Sequence, residues 1–489
     1  MATIAMDAAI SGLVSMQTAI NYISDNVSNA QTTGFKRVDS NFSSYVSTAA
    51  SRFFSPGGVT ARPNFINDLQ GSIVQDASPT AIAITGAGWL PVQDGSTSAG
   101  GFTGNNITQF TRRGDFALDT NSFLVNGAGK FLFARSVPRP TVAVPNPSPS
   151  AGPLTPVQID QSQLPALPTS RAIYAANLPA NAPPGTVYNG GTITVTDANG
   201  AARAFSLTWY NRTTAGGTLP GVPASASTGT AAIPASAAGT TPQWRLVITA
   251  PTSSGTGIES ITADYTFGAV IGVDAGLLTG ITNPQTTDSA ASPSFQATVN
   301  AADGRLRVQY AAPAVSAPPP ASNYQNINVE FGTPNKAIPT VASALSQPGG
   351  MSQFGGTTIS ISTVTADGYA AGIYNGVGMD RNGNIFTTYS NGQRLVQYQI
   401  ALATFNNSKG LVRQNGEAFL DDPAAGFIGF NATQTGGAGG VNPNSLENSN
   451  VDIGTEFTKM IVAQRSYSAN AKIITTADEM LQEIVNIKR

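Results

Sequence analysis

The sequence contains no histidine and no cysteine. It therefore lacks the residues that most often serve as general base, as activating partner of a nucleophile, and as ligands for zinc, haem and iron–sulfur centres. Ser–His–Asp catalysis is excluded, and no disulfide can brace the fold. Charge is scarce too: 25 Lys and Arg and 27 Asp and Glu make 11% of the 489 positions, against about 25% in ordinary soluble proteins. Binding nucleic acid by counterion release needs clustered Lys and Arg, which this chain does not have, so no nucleic-acid partner is expected. There is no run of 18 apolar residues, so no membrane insertion by a helix is expected either. The first basic residue is Lys36; without a positive n-region, a cleavable secretion leader is not expected.

What the chain does have is 51 Gly and 32 Pro, a turn-rich composition, over a length that suggests about three domains. The composition shifts along the chain. Residues 141–375 hold seven basic and nine acidic residues in 235 positions, whereas residues 450–489 hold ten charges in 40. The middle is rich in Ser, Thr, Ala, Gly and Pro, with low-complexity patches at Pro145–Pro156, Ala224–Thr241 and Pro313–Ala321. Between turn residues lie short apolar runs at Gly191–Thr196, Ala204–Tyr210, Trp244–Thr249, Arg305–Tyr310 and Thr357–Thr363, the spacing of an antiparallel β sandwich or barrel. Asp197–Gly200 and Asp303-Gly304 read as turns beside these strands. Further strands are expected at Ala81–Thr85, Phe116–Asp119, Lys130–Phe133, Ile385–Tyr389 and Leu395–Thr404.

Both ends read as helices. With Met6 at heptad position a, Met6, Leu13, Ile20 and Val27 occupy a, and Ala9, Met16, Ile23 and Ala30 occupy d, with no polar residue at either position. Thr33-Gly34 supplies a stop. The C-terminal helix follows Asn448-Ser449-Asn450, which are candidate caps. At 100° per residue, Ile453, Phe457, Met460, Tyr467, Ala471, Ile474 and Leu481 share one face. Val462, Ala469, Ile473, Met480 and Ile487 share a second, roughly 160° away. Arg465, Lys472, Glu479 and Glu483 lie between them on one side and Lys459 and Lys488 on the other, while Asp478 falls inside the first face.

A helix that packs once needs one apolar stripe. Each large side chain left in water forgoes roughly 1.5–3 kcal/mol of burial, so a second stripe implies a second partner. The N-terminal heptads can cover one stripe; a second copy of the chain is the expected partner for the other. A membrane surface suits it less, because the first 35 residues hold no basic residue. With helices at both ends of a β-rich chain, the fold is expected to be α+β and nested: paired, coiled-coil-like terminal helices carrying mainly antiparallel sandwich- or barrel-like β domains. The expected layout is residues 1–33 with 450–489 as a helical polymerisation domain and 34–70 with 436–449 as a connector. An inner β domain would comprise 71–140 with 375–435, and an outer region of one or two domains would span 141–374. Subunits of this kind, sticky at one end, suit the axis of a polymer.

The stretch Ser24–Lys36 (SDNVSNAQTTGFK) resembles the N-terminal signature of the bacterial flagellar rod, hook and hook-associated axial proteins. Ser445–Asp452 (SLENSNVD), Glu456-Phe457 and Ala463–Lys472 (AQRSYSANAK) resemble the matching C-terminal signature. Ala83–Trp89 and Phe110–Phe116 are similar to the first half of that family's inner β domain, and Tyr389–Gln393, Leu402–Phe405 and Lys409–Leu411 to its second half. Ala81 and Asp421–Gly426 depart from the family pattern. The large insert fits the hook-building members best.

The resemblance implies a structural, non-enzymatic subunit without cofactor or metal, polymerising into a curved tube that transmits torque as a universal joint. The alternatives are a distal rod protein with an enlarged outer domain, or a secreted β-rich adhesin or carbohydrate-binding fibre. The implied partners are other copies of the chain, the distal rod protein, hook–filament junction proteins, hook cap and length-control proteins, and the flagellar type III export apparatus. The implied location is the extracellular hook of the flagellum. The expected polymer interface comprises Met6, Leu13, Met16, Ile20, Ile23, Val27, Ile453, Phe457, Met460, Val462, Tyr467, Ile473, Ile474, Met480, Leu481 and Ile487. The family-motif residues are Asn26, Asn29, Gly34, Phe35, Asn450, Gln464 and Asn470.

Other site-like signals have structural explanations. Arg113-Gly114-Asp115 spells an integrin-binding tripeptide inside a family-like motif. Asp380–Asn384 begins like a calcium loop but lacks the Gly and the bidentate Glu, and reads as a hairpin turn. Gly436–Gly440 lacks the Lys and Ser or Thr of a phosphate cradle. Glu417, Asp421 and Asp422 could serve glycoside hydrolysis, which needs neither His nor Cys.

Overall fold

The computed structural model describes residues 2–50, 53–98, 101–104, 107–139, 152–183, 185–211, 243–251, 258–267, 278–287, 295–300, 305–311, 324–332 and 350–487. The patches Ala224–Thr241 and Pro313–Ala321, the turn at Asp303-Gly304, most of Pro145–Pro156, Lys488 and the Ile487 side chain lie outside the described residues.

The chain begins with helix α1 (Ala2–Ser28) and ends with helix α2 (Ile453–Ile487). Between α1 and the first β domain runs a long antiparallel hairpin, β1 (Val38–Ala50) and β2 (Phe53–Phe65), paired from Val38↔Phe65 to Ala50↔Phe53 with a bulge near Val46. The hairpin lies within the expected connector over residues 34–70, where the sequence predicts no strand. Its signal was the weak alternation Val38, Ser40, Phe42 in a Ser-rich context. α1 lies on the hairpin: Ser15 Oγ donates to the Val59 carbonyl (2.9 Å), and Ser11 Oγ accepts from the Val59 N–H (3.1 Å).

The next layer is an eleven-stranded sheet woven from two distant parts of the sequence. Phe131–Ser136 pairs with Arg394–Gln399, and Gln109–Thr111 with Ala418–Leu420. Its main core holds Ile82, Leu90, Val92, Phe116, Leu132, Ile385 and Leu402, and a second cluster gathers around Trp89, Phe110 and Phe419. The expected strand Leu395–Thr404 is two strands, Arg394–Gln399 and Ala401–Phe405. The chain turns at Ile400, whose N–H donates to the Gly383 carbonyl (2.7 Å), and the second half pairs with Phe427–Ala432.

Two chain passes lead outward from this layer, joined by bridges at Leu164↔Gly372 and Leu167↔Tyr369. Beyond them a five-stranded meander (Val187–Thr196, Ala202–Asn211, Gln243–Pro251, Ile258–Phe267, Leu278–Thr287) faces a six-stranded sheet centred on Arg171–Pro179. That sheet is mixed, since Arg171–Ile173 and Asn177–Pro179 pair in parallel with Asn328–Glu330 and Ser352–Phe354. One hydrophobic cluster, including Tyr174, Trp209, Trp244, Tyr265, Val308 and Ile327, fills the space between the sheets. The architecture is α+β, with terminal helices together and mainly antiparallel sheets between them.

Candidate functional site

The candidate site is the base of the molecule, where α1, α2, the hairpin and the chain flanking them meet. α1 and α2 run antiparallel in a register fixed by two close contacts. Asn26 Nδ2 donates to Glu456 Oε2 (2.9 Å), and a Cβ added at Gly12 would stand 2.8 Å from Asn470 Nδ2. Asn26 lies 14 residues after Gly12, and Asn470 lies 14 after Glu456, about 21 Å along each helix. Seven-residue steps between these contacts fall on Ala19 and Ala463, both buried, and one step beyond them Ala477 is buried too.

The seam therefore runs on small and polar residues and is displaced from the predicted a and d positions. Ile23 is buried, whereas Met6, Leu13, Met16, Ile20 and Val27 are half-buried at its flank. On α2 the seam falls between the two predicted stripes. Met460, Ile474 and Leu481 are half-buried beside it. Ile453, Phe457 and Ile461 are exposed along one flank, and Val462 (58%), Ile473 and Met480 (52%) along the other; Tyr467 is also exposed. Hydropathy periodicity misses such a seam because Gly, Ala and Asn carry little apolar weight, while their small size or hydrogen bonds let the helices approach.

At the lower end of the seam Asn26 is fully buried. Its Oδ1 accepts from the Val38 N–H and its Nδ2 donates to the Val38 carbonyl, both at 2.9 Å. Glu456 is 0% exposed. Lys459 Nζ donates to Glu456 Oε1 (2.8 Å) and to Asp39 Oδ1 (2.7 Å). Burial works against the Lys459 ammonium, but these two carboxylates carry its pKa above the ordinary lysine value.

A second buried cluster clamps the chain where it leaves and re-enters the base. Lys36 Nζ lies 2.5 Å from Glu447 Oε1 and Arg112 Nη1 lies 3.3 Å from Glu447 Oε2. Lys36 and Glu447 are 1% and 0% exposed. Every polar atom of the Glu447 carboxylate is engaged, because Gly71 N–H also donates to Oε1 (2.9 Å). Lys36 Nζ reaches the Leu69 carbonyl (2.8 Å), and Arg112 Nη2 the Gly86 carbonyl (2.6 Å), with its guanidinium 5.2 Å from the Trp89 ring centre. Burial, reinforced by the Arg112 charge and opposed by Glu447, lowers the Lys36 pKa; burial likewise lowers that of Arg112. The Arg413 guanidinium lies 4.6 Å over the Phe35 ring and donates to the Lys36 carbonyl.

Of the family-motif residues, Asn26 and Asn470 lie on the seam and Gly34 and Phe35 at the clamp. Gly34 adopts φ +72°, its N–H donates to the Glu447 carbonyl (2.7 Å), and a Cβ there would stand 2.7 Å from the Arg113 backbone nitrogen. It is not the stop of α1, which ends at Ser28 and unwinds through turns at Asn29 to Thr32. Gly34→Ala should cost about 2 kcal/mol or more, combining left-handed backbone strain with a backbone clash; a shift of the urea midpoint of unfolding measures it. Asn29 Nδ2 donates to Asp25 Oδ1 (2.9 Å). Asn450 does not cap α2. Its Oδ1 accepts from the Arg37 N–H (2.8 Å) and its Nδ2 donates to the Ile66 and Leu69 carbonyls (3.1 Å each). The cap is Asp452, which accepts from the Thr455 N–H (2.7 Å); hydrogen bonding to the Thr455 side chain and to its N–H lowers the Asp452 pKa. Gln464 is exposed.

The remaining site-like signals are taken up by the fold. Arg113 makes two bonds of 2.8 Å to Asp115 and a third of 2.8 Å to Glu417, so the Arg-Gly-Asp sequence is closed on itself. Asp380 Oδ1 accepts from the Asn382 and Asn384 N–H groups (2.9 Å each) and closes the turn between two paired strands. Asp422 accepts from the Ala424 N–H (2.8 Å) in a turn, and Gly436 and Gly437 occupy positive φ in another. Ala81 is buried and bridges Asp115. Among the described residues no group of three or more Asp or Glu could hold a metal ion.

Comparison with known proteins bears on the same segments. Residues 6–36 match the family described as flagella basal body rod protein, and residues 442–487 match that described as flagellar basal body rod FlgEFG protein C-terminal. Flagellar hook protein FlgE of Caulobacter vibrioides is 28% identical, over 99% of both chains. Flagellar hook protein FlgE of Rhizobium meliloti is 27% identical, over 99% of this chain and 98% of that one. Over nearly its whole length the chain is similar to flagellar hook proteins, and both its ends match flagellar rod families. A solved structure, that of Helicobacter pylori flagellar hook protein FlgE2, aligns with 77% of this chain at TM-score 0.44 and 11% identity. The two segments that match the rod and hook families are those that build the helical base and its clamp: α1 with Gly34–Lys36, and Ser445–Glu447 with α2.

Proposed function

We propose that the chain is a structural subunit of the bacterial flagellar hook, whose copies assemble through α1 and α2 into a tube that bends while passing torque from rod to filament. The observation that carries this reading is the pair of uncovered apolar flanks on α2, at Ile453, Phe457 and Ile461 and at Val462, Ile473 and Met480. Side chains about half exposed each gain on the order of 1 kcal/mol when a neighbour covers them, and a tube repeats that gain for every subunit. The interface in this reading also takes in the half-buried Met6, Leu13, Met16, Ile20 and Val27 of α1, which flank the same seam. The layered division into helical base, connector, inner β domain and outer β domain belongs to the same proposal, with the outer sandwich setting lateral contacts. So do the distal rod protein below, the junction and cap proteins above, and export by the flagellar type III apparatus to an extracellular location. The scarcity of charge on the β layers would let neighbours slide without repeatedly desolvating ions.

A distal rod subunit with an enlarged outer domain is the second reading, favoured by the rod proteins named in both matching families. Electron microscopy of the concentrated full-length protein should show tubes; curved, bendable tubes support the hook reading and straight rigid ones the rod reading. A protein that stays monomeric at every concentration overturns both.

A further inference from the structure

We infer that Asn26 and Glu456 form a register lock, which fixes how far along α1, and at what rotation, α2 docks. Both side chains are completely buried at a helix seam that otherwise runs mainly on small residues, Gly12, Ala19, Ala463 and Ala477, with Ile23 the one large buried apolar side chain on that face of α1 among the described residues. Small residues specify alignment poorly: sliding one helix by a turn exchanges one Ala or Gly for another residue at little steric cost. A buried hydrogen-bonded pair is different, because any slip parts Glu456 Oε2 from the Asn26 amide and leaves both buried without that bond. A single polar pair in a helix seam is the best-attested way to select one register.

The surroundings hold this pair in place from several sides. Asn26 is clamped by both backbone polar groups of Val38, which ties α1 to the start of the hairpin. Glu456 takes Asn26 on one oxygen and Lys459 on the other, and Lys459 in turn reaches Asp39, beside Val38 on β1. Three elements thus meet at one bond. A second close contact, Gly12 with Asn470, lies 14 residues away on each helix; it works by excluding a larger residue at Gly12 and supports the alignment that the buried bond selects. The register decides which flanks of α2 stay uncovered. That consequence for assembly rests on the proposed function; the register itself does not.

The test uses the full-length soluble subunit below any assembly concentration, so that it can fail independently of the polymer reading. Because the chain has no cysteine, Gln17→Cys and Arg465→Cys place one nitroxide on each helix at exposed positions, and pulsed electron paramagnetic resonance reads the distance between them. The parent should give one narrow distance. Asn26→Leu with Glu456→Leu takes the side-chain partner from the Val38 N–H and carbonyl, so it should lower the denaturation midpoint and give a broadened or multiple distance distribution in the folded chain. Glu456→Gln, which keeps an acceptor for Asn26, should retain the single narrow peak of the parent. A narrow, unshifted distance in the double leucine variant overturns the lock. Should that variant not fold, Glu456→Leu alone, which leaves Asn26 on Val38, is read in the same way. Failure of this single variant to fold overturns the inference as well, since the carboxylate would then carry stability and not alignment.

Discussion

Val462→Asp combined with Ile473→Asp should abolish tube formation and leave the soluble subunit intact. Both side chains are largely exposed on the same flank of α2, so the aspartates meet water in the monomer and change its stability by no more than about 0.5 kcal/mol. Covered by a neighbour, each would become a desolvated charge without a partner, costing several kcal/mol per subunit. In a polymer the penalty recurs at every contact, so the concentration needed for assembly should rise by several orders of magnitude. Sedimentation of concentrated protein reads assembly, and urea unfolding of dilute protein reads the monomer. Tubes forming at the parent concentration would remove this flank from the interface, and an unfolded monomer would show that it is covered within the chain.

Glu447→Leu should produce the largest loss of stability. It leaves Lys36 and Arg112 buried, without the carboxylate that both of them face. Breaking a buried ion pair by removing one partner costs about 3–5 kcal/mol, a large part of the 5–15 kcal/mol that holds a domain together. The outer sandwich has its own separate core, so the damage should stay near the base. Unfolding should split into two transitions, the first carrying loss of amide protection at Gly34 and Gly71, whose N–H groups bond to Glu447. Glu447→Gln keeps an acceptor for Gly71 and Arg112 and should fall between the parent and the leucine variant. A single unshifted transition in Glu447→Leu would show that the clamp contributes nothing net.

The placement of the elements was legible where local chemistry decides it. Alternating runs such as Ala204–Tyr210 and Trp244–Thr249 became strands within a few residues of the expected bounds, because alternate residues face a filled core. The terminal helices were legible from their periodicity. Their seam was not, because hydropathy weights Leu and Ile while the contacts use Ala, Gly, Asn and Glu. The hairpin of β1 and β2 was missed because its register depends on α1 lying across it, through Ser11 and Ser15, and nothing local signals that support. Lys36, Arg112, Glu447 and Glu456 stood in the motifs as ordinary charged residues. Only the meeting of positions more than 300 residues apart in sequence makes them a buried network. The clue available beforehand was their rarity, since a chain with 11% charge that concentrates acids and bases beside its terminal helices is using them for something.

The chain passes twice between the eleven-stranded layer and the outer sandwich, once outbound and once returning, and the two passes are bridged at Leu164↔Gly372 and Leu167↔Tyr369. A tug on the tip of the molecule is therefore divided between two backbones laced side by side, and severing either one leaves the other as a tether. A doubled cord protects against the loss of a whole limb to one broken peptide bond.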